Sequence, residues 1–242
     1  MSAEPAPPVE GAEEPRSERR QVLMDSLGVA IATGTYGVSF GAIAVASGLS
    51  IVQACALSLL VFTGASQFAF AGVVAAGGAP LSGAATALML GTRNTLYGLK
   101  LTSLLRLHGV RRIAGAHVVI DESTAMALKP KDPANARIGF FATGLSIFVL
   151  WNLATWIGAV AGEAIGDPKT YGLDAAVPAA FLALLWPRLT TMRTRLTALI
   201  AAALALTLVP VTRPGLPIIA AAGVAFLAAL RSDDPAEPGR SA

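Results

Sequence analysis

Apolar residues run along this chain in long blocks, separated by glycine, proline and short polar clusters. The blocks lie at about 22–47, 50–76, 79–99, 138–162, 173–187, 195–210 and 215–230. A helix needs about 20 residues, at about 1.5 Å each, to cross a hydrocarbon core about 30 Å thick. The first four blocks meet that length. The last three, at about 15 or 16 residues, suit tilted, thinned or protein-buried helices. The pattern predicts an all-α membrane protein of about seven transmembrane helices (six to eight), some short or broken. A weaker apolar stretch, 113–128, is interrupted by His117, Asp121 and Glu122. It reads as a re-entrant piece, an amphipathic surface helix or an extra crossing.

Charge sharpens this division. From Ser26 to Thr92 there is no charged side chain, a stretch of 67 residues that no soluble fold could surround with a wet surface. The polar ends, 1–21 and 231–242, read as disordered tails flanking a transport domain at 22–230, the first of them cytoplasmic. Lys and Arg in the loops set orientation. Lys100, Arg106, Arg111, Arg112, Lys129, Lys131 and Arg137 make the segment 100–137 basic and therefore cytoplasmic, together with Arg188, Arg193, Arg195 and Arg231. A cytoplasmic N-terminal tail then requires an even number of crossings before Lys100, yet three long blocks are present. Either one block is broken or 113–128 crosses. A break is preferred, because Thr63-Gly64-Ala65-Ser66-Gln67 interrupts the second block with small, hydroxyl- and amide-bearing residues.

Composition adds exclusions. Hydrophobic residues make up 54% and charged residues 14%, against about 25% charge in a typical soluble domain. The net charge of +3 follows from basic loops and not from a nucleic-acid surface. The single cysteine, Cys55, has no intrachain partner. Metalloprotease, dinucleotide and P-loop motifs are absent, and His108 and His117 alone make no metal site. The reading is no enzyme, no metal and no cofactor.

A polar group inside lipid costs several kcal/mol unless it is paired or wetted. Gly34, Gly37 and Gly41, with Thr33, Thr35 and Ser39, form a small-residue face that reads mainly as close helix packing. Four places rise above that background. Thr63, Gly64, Ser66 and Gln67 can present backbone N–H groups and an amide to a substrate. Arg93, the first charge after the long apolar stretch, with Asn94 beside it, either binds a carboxylate or anchors at the headgroups. Asp121 and Glu122, one turn beyond His117, are candidates to carry a coupling proton or bind an ammonium group, or are simply solvated. Trp151-Asn152 places one amide in mid-span. A faint self-similarity relates Gly48-Leu-Ser to Gly172-Leu-Asp, each opening an Ala/Leu run, so an inverted repeat is possible.

These residues in this order resemble the AzlC-type branched-chain amino acid permeases. The resemblance runs from about Gly34 to Leu230 through Phe40-Gly-Ala-Ile-Ala-Val-Ala-Ser-Gly48, Thr63-Gly-Ala-Ser-Gln67-Phe68, Thr92-Arg93-Asn94-Thr-Leu-Tyr97, Asp121-Glu122-Ser123 and Phe181-Leu-Ala-Leu-Leu185. The family typically carries an Asn-x-Arg-His-x-Leu block. This chain keeps its arginine as Arg93 but has Gly91 and Asn94 in place of the asparagine and histidine, which puts specificity in question. The resemblance implies proton-driven export of branched-chain or similar apolar amino acids across a bacterial inner membrane. It also implies a small AzlD-type membrane subunit as partner. Thr63, Gly64, Ser66, Gln67, Phe68, Arg93, Asn94 and Phe181 would then contact substrate, with Asp121 or Glu122 carrying a proton. A passive small-metabolite channel and a non-transporting accessory subunit are the alternatives.

Overall fold

The computed structural model describes residues 14–165, 182, 185–186, 189–212 and 215–230. Among them every regular element is a helix. The first block forms α1 (Glu14–Gly34) and α2 (Tyr36–Ala46), which follow each other with only Thr35 between them. From Glu18 to Ala46 they make one apolar rod of 29 residues, long enough to cross a membrane. Its helical start reaches back to Glu14, inside the stretch expected as tail. The fourth block forms α8 (Pro133–Ile165), whose segment Pro133–Ala164 passes the same test of length and hydropathy.

The second block is broken. It forms α3 (Ile51–Leu60) and α4 (Ala65–Ala75), with 61–64 non-helical between them. The third block becomes α5 (Pro80–Leu105). The weak stretch is a second break: α6 (Val110–His117) and α7 (Asp121–Leu128) are separated by 118–120. At ten, eleven, eight and eight residues, none of these four pieces spans a bilayer alone. After the segment outside the described residues come α9 (Met192–Leu208) and α10 (Leu216–Leu230), which pack on each other.

A short helix, a break, a second short helix and a long helix thus occur twice, as α3–α4–α5 and as α6–α7–α8. Both long helices open on a proline, Pro80 and Pro133, where a missing N–H costs nothing. The self-similarity expected between 48–60 and 172–185 has its second half outside the described residues.

Helix α8 is the central post, packed by α1, α2, α3 and α7. The α2–α8 seam depends on absent side chains. A Cβ on Gly41 would lie 2.0 Å from the Thr155 carbonyl oxygen, and one on Gly158 would lie 2.0 Å from that of Val38. The expected small-residue face is therefore a close-packing face. One core gathers Phe40 of α2, Phe62 of the first break, Phe68 of α4, Ile120 of the second break and Trp151 of α8. The outer faces are apolar and bare: Leu81 is 82% exposed and Val110 81%. Such a surface suits lipid.

Candidate functional site

The first break is built by a glycine. Gly64 has φ +65°, a conformation open to glycine at little cost, and it places the chain to restart as α4. The new helix is held by its own third residue: the Gly64 N–H donates to Gln67 Oε1 at 3.1 Å, and the Gln67 N–H donates to the Gly64 carbonyl at 3.0 Å. Using Oε1 in this way fixes which end of the amide is left. Gln67 is completely buried, and its Nε2 has no acceptor. Ser66 Oγ and Thr63 Oγ1 are also buried without a partner. An unmet buried hydrogen-bonding group costs about 1–3 kcal/mol. The three lie together at a helix start, whose first-turn N–H groups attract negative charge.

The second break uses the same device and finishes it. Ile120 is extended (φ −132°), and its N–H donates to Ser123 Oγ at 3.0 Å, again from the third residue of the next helix. Ser123 Oγ in turn donates to the Val118 carbonyl at 2.7 Å. Helix α7 then opens on Asp121 and Glu122, both half-buried, where the helix dipole favours anions.

One turn of α5 joins the two breaks. At Gly91 the helix faces α4, with a Cβ position 3.7 Å from Ser66 Oγ. Two residues on, Arg93 Nη1 meets Asp121 Oδ2 at 3.0 Å, with 29% and 26% of the two side chains exposed. The lone cation of the apolar third block therefore holds the carboxylate at the start of α7. Asn94, on the Gly91 side of the helix, has an unpartnered buried Oδ1 and lines a cavity of about 390 Å³. Leu101, Leu105, Val119 and Phe140 make that cavity largely apolar.

The breaks are also clasped directly. The His117 Nε2–H, at the end of α6, donates to the Leu59 carbonyl near the end of α3 at 2.9 Å. Around it Phe62, His117 and Phe148 form ring contacts, with centroids 5.2–6.4 Å apart. A second aromatic group, Phe40, Phe68 and Trp151, stands behind α4. Phe68 is therefore part of the core wall. Trp151 Nε1 is buried there without an acceptor.

Of the residues expected at the site, Thr63, Gly64, Ser66 and Gln67 lie together at the first break, with Phe68 just behind it. Asp121 and Glu122 open the helix after the second break, and Arg93 and Asn94 lie on the α5 turn between the two. Phe181 is outside the described residues. The Arg93–Asp121 partnership and the His117 clasp were missed, because neither pairing has a spacing that a sequence displays. Trp151 was visible only as an aromatic residue in mid-span.

A model of the AzlC protein family matches residues 28–165, which contain both breaks and every described site residue. The inner membrane protein YgaZ of Escherichia coli (strain K12) is 28% identical over 208 residues, covering 83% of this chain and 84% of that protein. The branched-chain amino acid transport protein AzlC of Bacillus subtilis (strain 168) is 24% identical over 148 residues, 60% of this chain and 58% of that protein. A membrane protein of Haemophilus influenzae is 25% identical over 152 residues, 60% of this chain and 61% of that one. No solved structure matches. With more than half of its length matched, with helices as the regular elements of its described residues and with apolar outer faces, the chain belongs to the AzlC family of membrane proteins.

Proposed function

We propose that this chain is the large subunit of a secondary transporter that exports branched-chain or similarly apolar amino acids across the bacterial inner membrane. It works with a small AzlD-type membrane subunit and uses the proton gradient. The name of the Bacillus relative supports the substrate class, and that of the Escherichia relative supports the membrane.

The observation that carries this reading is the unmet hydrogen-bonding capacity of Ser66 and Gln67, both buried at the start of α4. In this reading the substrate carboxylate lies at that helix start, where Gln67 Nε2, Ser66 Oγ and Thr63 Oγ1 reach it beside the backbone of Gly64. Arg93 assists. The branched side chain enters the apolar cavity that Asn94 borders; Phe68 and Phe181 remain substrate-contact candidates, the former from the core behind the first break. Asp121 or Glu122 carries the coupling proton.

The test is uptake of radiolabelled leucine, valine and methionine into inside-out vesicles. It is run with and without the small subunit and with an uncoupler. Accumulation that needs the subunit and collapses with the uncoupler supports the whole reading. Uncoupler-insensitive flux without accumulation points to a passive channel. No flux in any condition overturns transport of these substrates.

A further inference from the structure

We propose that Gly91 is the specificity-determining position of the substrate site, where the missing side chain makes room for amino acids branched at the β-carbon. This deepens the amino acid transport reading above and rests on it. Helices α4 and α5 pack on each other. Along α5, Gly83, Ala87, Gly91 and Asn94 follow at spacings of four, four and three residues, which keeps them on one side of the helix. Gly83 and Gly91 both face α4, but they meet it differently. A Cβ on Gly83 would lie 3.0 Å from Phe70 Cδ2 and 3.3 Å from Phe70 Cε2, so that glycine serves tight packing. A Cβ on Gly91 would have one neighbour within 4 Å outside its own helix backbone, Ser66 Oγ at 3.7 Å, an ordinary contact. Packing therefore does not require the second glycine. Its one neighbour is a completely buried hydroxyl without a hydrogen-bond partner. One turn further along the same face, Asn94 borders the apolar cavity of about 390 Å³.

The covalent geometry of an amino acid turns this space into selectivity. With the carboxylate on Ser66 Oγ, the α- and β-carbons are the next atoms out, and they fall in the volume that a Cβ at position 91 would share. Valine and isoleucine carry two carbons on the β-carbon, where leucine and methionine carry one. The bare backbone at Gly91 is thus needed by the first two and spare for the others. The remainder of any of the four side chains lies in the cavity beyond. An apolar site separates ligands by about 10–200-fold for one methylene, so a single added carbon at position 91 is enough to change the order of preference.

The experiment measures binding of radiolabelled methionine to the full chain in lipid nanodiscs, alone and with the co-expressed small subunit. Unlabelled valine, isoleucine, leucine and methionine compete. In Gly91→Ala, valine and isoleucine should weaken at least about tenfold relative to leucine and methionine. The same variant should melt no lower than wild type, because alanine favours a helix interior over glycine. In Gly91→Ser the new hydroxyl lies one bond beyond the Cβ and partners Ser66 Oγ internally, so all four ligands should weaken about tenfold. Gly83→Ala, from the same seam, should melt lower as Phe70 is displaced and keep the wild-type order of preference. A valine-to-methionine ratio unchanged in Gly91→Ala overturns the assignment and leaves amino acid transport standing. So does a Gly91→Ala protein that melts below Gly83→Ala, since Gly91 would then be a packing glycine, and so does unchanged affinity in Gly91→Ser. Absence of binding of all four amino acids to the wild type overturns the transport reading as well.

Discussion

The two breaks use the same local chemistry and reach opposite end states. Each restarts a helix by letting the third residue accept a hydrogen bond from the backbone N–H just before it: Gln67 for Gly64, Ser123 for Ile120. Ser123 then spends its remaining capacity locally, on the carbonyls of Val118 and Ile120. Gln67 is two bonds longer and reaches the same N–H with one end of its amide, which leaves the other end buried and unmet. The second break is closed and carries charge. The first is neutral and open. A hydroxyl finishes a turn, while an amide at the same position leaves a donor over, and the proposed substrate site rests on that surplus.

Ser123→Ala should give the largest loss of stability. It removes the cap of Ile120 and the partner of the Val118 carbonyl from a completely buried position. The cost is about 2–4 kcal/mol, from two buried groups left unmet. It is read as a lower midpoint of thermal unfolding in detergent, with transport falling in proportion to folded protein. A midpoint unchanged from wild type would show that the second break is not held by its serine.

Gly64→Ala comes next. Nothing lies within 4 Å of the added Cβ, so sterics with neighbours play no part. The cost comes from φ +65° alone, about 1–2 kcal/mol. Ile120→Ala lacks that penalty, since its backbone is extended, and it loses only side-chain packing in the core. Gly64→Asn should melt with the alanine variant, because ψ −95° lies outside the left-handed helical region that asparagine tolerates. An alanine variant that melts with the wild type would refute backbone strain as the cause.

Gln67→Leu should separate stability from function most clearly. The substitution loses the cap on Gly64 but also removes an unmet buried donor, so the two effects nearly offset, to within about 1 kcal/mol. Transport should fall at least about tenfold, the value of a hydrogen bond to a charged carboxylate. A folded Gln67→Leu protein that transports at the wild-type rate would take the first break out of the site.

The sequence showed these two breaks unequally, for a physical reason. Thr63-Gly64-Ala65-Ser66-Gln67 interrupts a block with no charges, so glycine and polar residues stand out against their surroundings. The break after His117 lies in a segment already crowded with charge, where Val118-Val119-Ile120 reads as ordinary apolar chain. Its extended geometry is imposed by Ser123 reaching back and by the core around Ile120. Glycines 34, 37 and 41 showed one close-packing helix face, because spacings of three and four residues keep one side of a helix, but its partner α8 came only from the structure. Arg93 was left open between substrate and headgroup. Only the packing of α5 on α7 decided that its partner is Asp121.

The smallest expected effect tests whether the two breaks act together. His117 joins them through one hydrogen bond, from its Nε2–H to the Leu59 carbonyl. That bond is at an exposed position, so His117→Ala should cost only about 0.5–1.5 kcal/mol. The carbonyl can only accept, so the ring must carry a proton on Nε2. Both the corresponding neutral tautomer and the imidazolium meet that need. Either form can keep the clasp, so His117 is a joint between the breaks. Spin labels on the ends of α3 and α6 should report one narrow distance in the wild type, unchanged between acid and neutral pH. The distribution should broaden in His117→Ala. A wild-type distance that widens on acidification would make the histidine a gate, and the two breaks would then be separable parts of the transport cycle.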